Sequence, residues 1–317
     1  MPLDDRALDR LAAFRTSVLA QSPGYPGPAS ATAFHRATLV ACETQGGIVA
    51  HEGPEGLDGL VMWQHERDAP TGVPTTWLSV HRKGAEALSW AMETFDAVWP
   101  TLQGEIALGI TAWDVPLRRA ILRRGLGIQG VNMAGRVDIA SERLGHAFAP
   151  LPSWLEVVPV EAPAILDGVI DLRRRVFSAE PAFCWFGAGE SYLAAERAQL
   201  ANPTKPGFRR ALVRDGEVVG FVACGWNDQD PHHGRSAGVD LLMDRSLRGL
   251  GVSRHAYRWM LDAAVARGTE WLKGITAQPP VLHMARRLGR IPTGLSLRVG
   301  STFDEAHFSA FDMLPME

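Results

Sequence analysis

The chain has 317 residues, of which 46% are hydrophobic and 21% charged, with a formal net charge of −3. This is the make-up of folded globular protein, with length enough for two domains. The slightly acidic balance offers no electrostatic footprint for nucleic acid, and no apolar run approaches the roughly 20 residues that span a bilayer.

Three cysteines, Cys42, Cys184 and Cys224, are widely spaced and odd in number, which argues against a disulfide framework or a Cys-based zinc site. The opening Met1-Pro2-Leu3-Asp4-Asp5-Arg6 lacks the basic and apolar regions of a signal peptide. The expected compartment is the cytoplasm.

In chain order, the first informative stretch is Gly109-Ile110-Thr111-Ala112, a short buried strand. It is followed by Pro116, an Arg-rich helix from Leu117 to Arg124, and Gly125. Proline suits a helix start and glycine its C-terminal stop. The same order returns as Gly274-Ile275-Thr276-Ala277, Pro279-Pro280, a helix over 281–288 and Gly289. Chance could match four residues; agreement of order, spacing and punctuation favours two copies of one unit, offset by about half the chain. The boundary is expected within 141–153, where Ala147-Phe148-Ala149-Pro150-Leu151-Pro152 reads as a Pro-rich linker.

In the second copy, residues 154–160 read as a strand. Residues 164–177 form a helix with Ile165, Val169, Leu172 and Val176 on one face, and 190–200 form another. Strands over 209–213 and 218–226 flank Asp215-Gly216-Glu217, where Asp-Gly signals a hairpin. A strand over 238–243 runs into a glycine loop. A helix over 253–267, a strand over 271–276, a helix from Pro280 and one or two last strands complete the pattern.

The loop carries the chemistry. Asp240-Leu241-Leu242-Met243-Asp244-Arg245-Ser246-Leu247-Arg248-Gly249-Leu250-Gly251-Val252-Ser253 takes an apolar strand through two glycines into a long amphipathic helix. The first amides of a helix have no partner within it, and the helix dipole is positive there. Glycine lets those N–H groups approach an oxyanion, and Arg248 adds a fixed charge suited to phosphate. The ligand expected from this chemistry is a pyrophosphate. The loop has neither the Gly-Lys-Ser/Thr of a Walker loop nor a full Gly-x-Gly-x-x-Gly. A plain turn punctuated by glycine is the competing reading.

Arg248-Gly249-Leu250-Gly251-Val252-Ser253 resembles the Arg/Gln-x-x-Gly-x-Gly/Ala signature of GCN5-related N-acetyltransferases, with Ser253 in the final small position. The resemblance runs from about Trp154 to the C-terminus. It implies an α/β fold of two tandem domains, each a mixed, mostly antiparallel twisted sheet flanked by helices: a degenerate copy over 1–145 and an active one over 150–317.

It also implies acetyl-CoA, or another acyl-CoA, as cofactor. The pyrophosphate would lie on Arg248 to Ser253 and the neighbouring Arg254, and the pantetheine along Leu241, Leu242 and Met243. Gln278 falls where the family commonly has an Asn. A Tyr often stands four residues before the closing Gly as general acid; here that residue is Ala285, and His283, about 200° around the helix, does not replace it. In the first copy the loop position falls on Arg82-Lys83-Gly84-Ala85-Glu86, with one glycine and an acid where phosphate would sit.

Asp240 is the catalytic candidate, since polyamine-acetylating relatives often carry an acid there. A carboxylate in this place could hold an ammonium or relay its proton; the competing reading is a strand Asp bound to a structural partner. His232 and His233 could deprotonate an amine or simply be solvated. Trp185 and Trp226 could wall a substrate pocket or belong to the core. The expected activity is acyl transfer to an amine of a small molecule such as an antibiotic or amino acid, without metal. The alternative is a non-catalytic acyl-CoA-binding or sensor protein.

Overall fold

The computed structural model describes residues 3–22, 25, 27, 30–67, 74–145, 148–179, 189–202, 207–276 and 278–299. The first half runs α1 (Asp5–Leu19), α2 (Ser30–Gln45), β1 (Gly46–Gly53), β2 (Gly56–Arg67), β3 (Pro74–Arg82), α3 (Ala87–Val98), β4 (Glu105–Thr111), α4 (Val115–Leu122), β5 (Leu126–Arg136) and α5 (Val137–Leu144). The second runs β6 (Glu156–Val158), α6 (Pro163–Ser178), α7 (Glu190–Ala201), β7 (Gly207–Arg214), β8 (Glu217–Asp230), β9 (Gly234–Met243), α8 (Val252–Arg267), β10 (Trp271–Thr276), α9 (Pro279–Arg287) and β11 (Ile291–Val299).

The expected repeat is present element by element. In both copies the Gly-Ile-Thr segment forms the strand (β4, β10), proline occupies the first turn of the next helix (α4, α9), and Gly125 and Gly289 stop that helix at φ 82° and 77°. The Asp215-Gly216 turn has both residues at positive φ, 51° and 82°, the geometry of a tight hairpin turn.

Several boundaries differ from expectation, β9 for instance starting at Gly234 rather than Gly238. The strand foreseen over 154–160 shrinks to Glu156–Val158, with Trp154 41% exposed. The strand foreseen over 218–226 continues to Asp230, because β9 pairs along it well past its apolar part.

The strands form one sheet in the order β1-β2-β3-β4-β11-β5-β10-β9-β8-β7-β6. Each half thus lends its last strand to the other. β11 lies between β4 and β5, and β5 lies between β11 and β10, all antiparallel. Exchange removes two open edges, whose unpaired N–H and C=O groups would otherwise be costly.

Packing follows the exchange. Leu282 and Ala285 of α9 enter a core with Val131 and Met133 of β5 and Phe95 of α3. Val137, Ala140 and Leu144 of α5 pack with Tyr257, Met260 and Leu261 of α8. Each such fully buried Leu or Val contributes about 1.5–3 kcal/mol. Among the described residues no helix is long and apolar enough to cross a membrane.

Candidate functional site

The site begins where two parallel strands part. β9 and β10 pair at Trp271↔Ser236, Leu272↔Ala237 and Lys273↔Gly238, and no further. Beyond that point β9 stays paired with β8 as far as Met243↔Gly220, and β10 stays paired with β5 as far as Thr276↔Val131. From Val239 to Met243 the backbone edge of β9 that faces β10 therefore has no strand partner among the described residues. Gly274 suits the fork, since a Cβ there would come within 3.0 Å of Val239 Cγ2 and 2.9 Å of Arg290 Nη2.

After Met243, Asp244 caps a short turn by accepting from the Ser246 amide at 2.8 Å. Leu247 and Val252 are buried in one apolar cluster and anchor the loop at both ends. Between them Arg248, Gly249, Leu250 and Gly251 are exposed. Gly249 and Gly251 have φ 78° and 74°, and a Cβ at either would meet nothing within 4 Å. Gly251 is the N-cap of α8 and offers no side-chain cap, and among the described residues no other side chain caps that helix end. An anion is the natural partner for such an end.

Met243, Asp244, Arg245, Arg248, Arg175 and Gln278 line one cleft there. Gln278 is the N-cap of α9 and its amide donates to Thr276 Oγ1 at 3.1 Å. Ser253 is half-buried, and the exposed Arg254 lies over the Phe148 ring at 5.0 Å. Leu241 and Met243 lean on the α8 core, whereas Leu242 is buried toward α6. The residues expected to hold the cofactor thus share one end of β9. A cation-rich cleft, an uncapped helix end and a free strand edge fit a long ligand with a phosphate portion and an amide-bearing arm.

Asp240 pairs with Ala223 across β9–β8 and lies on the α6 side of the sheet. Its carboxylate accepts from Arg173 of α6, whose side chain is 4% exposed and also lies 3.4 Å from Glu196 of α7. Burial opposes the charge on Arg173, but Asp240, Glu196 and Tyr192 around it outweigh that and push its pKa up. Asp240 remains 38% exposed. Burial also pushes the Tyr192 hydroxyl up to about 12, so it is protonated at neutral pH.

Arg173, Glu196 and Tyr192 were not singled out by the sequence reading. The signal for Arg173 was available: it stands four residues after Val169, on the apolar face of its helix, where an unpaired cation would be costly.

His232 and His233 lie at the opposite end of β9. Six residues separate Gly234 from Asp240, about 20 Å of strand, so the structure does not bring them to the fork. His233 is buried, its amide and Nδ1 lying 2.8 and 3.3 Å from Asp230 Oδ1. His232 Nδ1 lies 2.8 Å from the Tyr25 hydroxyl. Burial would raise the Asp230 pKa, but hydrogen bonds from His233 and Lys273 more than reverse this and hold it far below the carboxylate range.

Trp226 is half-buried against the α8 core. Trp185 lies outside the described residues. Ala285 is fully buried, in the core cluster that also holds Val131 and Met133 of β5. In the first copy, Arg82 is 8% exposed and committed to Asp114 and the Gly84 carbonyl, and α3 begins beside Glu86.

The chain is thus a mixed α/β sheet that forks beside a glycine loop leading into a long helix. Residues 171–289 match the model of the Acetyltransferase (GNAT) family, so this part of the chain is similar to that family.

A GCN5-related N-acetyltransferase from Sphaerobacter thermophilus superimposes with a TM-score of 0.55 at 15% identity, over 90% of both chains. That likeness shows the fold across both halves. A tandem GNAT protein from the clavulanic acid biosynthesis pathway aligns over 93% of this chain and 94% of its own, at 12% identity and a TM-score of 0.49. A GCN5-related N-acetyltransferase from Kribbella flavida aligns over 92% and 95%, at 12% and 0.45. No curated protein matches the sequence.

Proposed function

We propose that the protein transfers an acetyl group from acetyl-CoA to an amine of a small molecule, using one cofactor site in its second half. The observation that carries this reading is the fork between β9 and β10 opening onto the uncapped N-terminus of α8. Acetyl-CoA, when bound, supplies an activated thioester.

The chain's own groups do the rest. Amides at Gly251 to Ser253, with Arg248 and Arg254, hold the pyrophosphate. The free edge of β9 at Leu241 to Met243 and Gln278 orient the arm. A backbone N–H of β9 near Leu242 or Met243 is placed to stabilise charge on a carbonyl oxygen.

The acceptor amine is mostly protonated at neutral pH, since alkylamines titrate near 10.4. Asp240, fixed by Arg173 and open to solvent, holds that ammonium and passes its proton to water. In the first half, Arg82 is buried and its charge is already balanced by Asp114, which disfavours a phosphate there.

The buried Ala285 supports a second reading, a sensor that binds acyl-CoA without turning it over. Thiol release from acetyl-CoA with amino acids, polyamines and aminoglycosides separates the two. Release with one of these classes supports transfer; binding without release from any supports the sensor.

A further inference from the structure

The two halves place an arginine at the same point of their first helices. Arg15 is the eleventh residue of α1 and Arg173 the eleventh of α6. The strands correspond too. Ser79 pairs with Met62, the seventh residue of β2, and Asp240 pairs with Ala223, the seventh residue of β8. Ser79 therefore stands where the second half carries the carboxylate that meets its arginine.

Arg173 is neutralised by Asp240 and Glu196. Arg15 has no such partner: its Nε and Nη1 are buried without a hydrogen bond, and it forms no salt bridge among the described residues.

The groups beside Arg15 are also incomplete. His35 is fully buried, with Nδ1 2.8 Å from Thr16 Oγ1. The Thr16 hydroxyl donates to the Ala12 carbonyl at 2.8 Å, so its oxygen accepts from His35 Nδ1–H. That leaves His35 Nε2 buried and unpartnered. His81, on the same strand face as Ser79 and 5% exposed, has no partner for either ring nitrogen.

Burial first, then the nearby Arg15 charge, lower both imidazoles, His35 to about 3. Both are neutral at pH 7, so Arg15 supplies the charge of the cluster. The β8–β9 turn borders the cluster, with the His232 ring 5.2 Å from that of His35 and 2.8 Å from the Tyr25 hydroxyl.

We propose that Arg15, His35 and His81 form a binding site, separate from the fork, for a small monocarboxylate whose oxygens take the place that Asp240 has beside Arg173. A buried guanidinium without a counter-charge is costly, and an anion that supplies one is bound for that reason. Guanidinium geometry matches a planar carboxylate. One cation flanked by neutral histidines balances a single negative charge, and a phosphate dianion would be left under-compensated.

The test is calorimetry of the full chain with acetate and with benzoate. Saturable one-site binding of at least one probe is expected, weakened at least tenfold in Arg15→Met and in Ser79→Asp, with acetyl-CoA affinity unchanged in both. Ser79→Asp supplies the carboxylate from within the chain, so its melting temperature is expected to rise. The proposal is overturned if neither probe binds the unaltered chain. It is equally overturned if a folded variant binds as well as the unaltered chain, or if Ser79→Asp lowers the melting temperature.

Discussion

Gly251→Asp isolates the cofactor loop from the rest of the molecule. Gly251 has φ 74°, and a Cβ there meets nothing within 4 Å. A non-glycine residue in that conformation costs about 1–2 kcal/mol, with Asp among the better tolerated. The melting temperature should therefore fall by about 2–4 °C and the fold should persist.

Binding should suffer more. A carboxylate about 4 Å from a phosphate charge costs about 1 kcal/mol at the dielectric of water and about 4 kcal/mol at an effective dielectric of 20. Those limits correspond to roughly fivefold and roughly a thousandfold weaker acetyl-CoA binding. Gly84→Asp is the matched control, since Gly84 has φ 70° and equal open space but lies in the first-half loop beside the committed Arg82.

The assay is isothermal calorimetry with acetyl-CoA at fixed salt, with circular dichroism to confirm folding. One site per chain is expected, lost in Gly251→Asp and kept in Gly84→Asp. A folded Gly251→Asp protein with unchanged affinity, or loss confined to Gly84→Asp, refutes the loop assignment.

Asp240→Asn keeps the shape and removes the charge. Turnover should fall by roughly 10²–10⁴ with acetyl-CoA affinity little changed, and the defect should shrink at high pH, where the amine is already neutral. Unchanged turnover in a folded variant places proton transfer elsewhere. Ala285→Tyr, which restores the family's hydroxyl in name, must displace β5 or its core neighbours. Overpacking of this kind costs about 1–3 kcal/mol, and a melting temperature equal to the original would show that the core has room.

His35 and His81 bind fewer protons folded than unfolded, because their folded pKa values lie below 6.5. Stability is therefore whole above that value and is lost as pH falls below it, by up to about 1.4 kcal/mol per pH unit for each histidine. Urea titrations at pH 7 and pH 5 should show the loss, and His81→Leu should reduce it; an equal loss in the variant contradicts the assignment.

What the sequence disclosed was local. The Asp215-Gly216 hairpin, the helix after Gly251 and the paired Gly-Ile-Thr units all depend on residues within a few positions of one another. The loop assignment draws on the same kind of signal, an apolar strand broken by glycines before a helix. What it did not disclose was set by distant partners. The Arg173–Asp240 pair joins residues 67 apart and the Tyr25–His232 contact residues 207 apart. β8 runs past its apolar stretch because β9 continues to pair with it, across an irregularity, as far as Asp230↔Gly234, which hydropathy does not report. The exchange of β5 and β11 joins strands more than 150 residues apart, and local patterning carries no sign of it.

That exchange also fixes the order in which the molecule can be completed. During synthesis the first half is finished long before β11, so the far edge of β4 stays open until the last described strand has been made. Pairings of such sequence separation close slowly, and an open edge accepts any compatible strand in the meantime. A chain meeting a second chain in that interval can take its β11 instead of its own, giving an intertwined pair with the same contacts. Nor can either half be shed: removing the first takes β5 from beside β10, and removing the second takes β11 from beside β4.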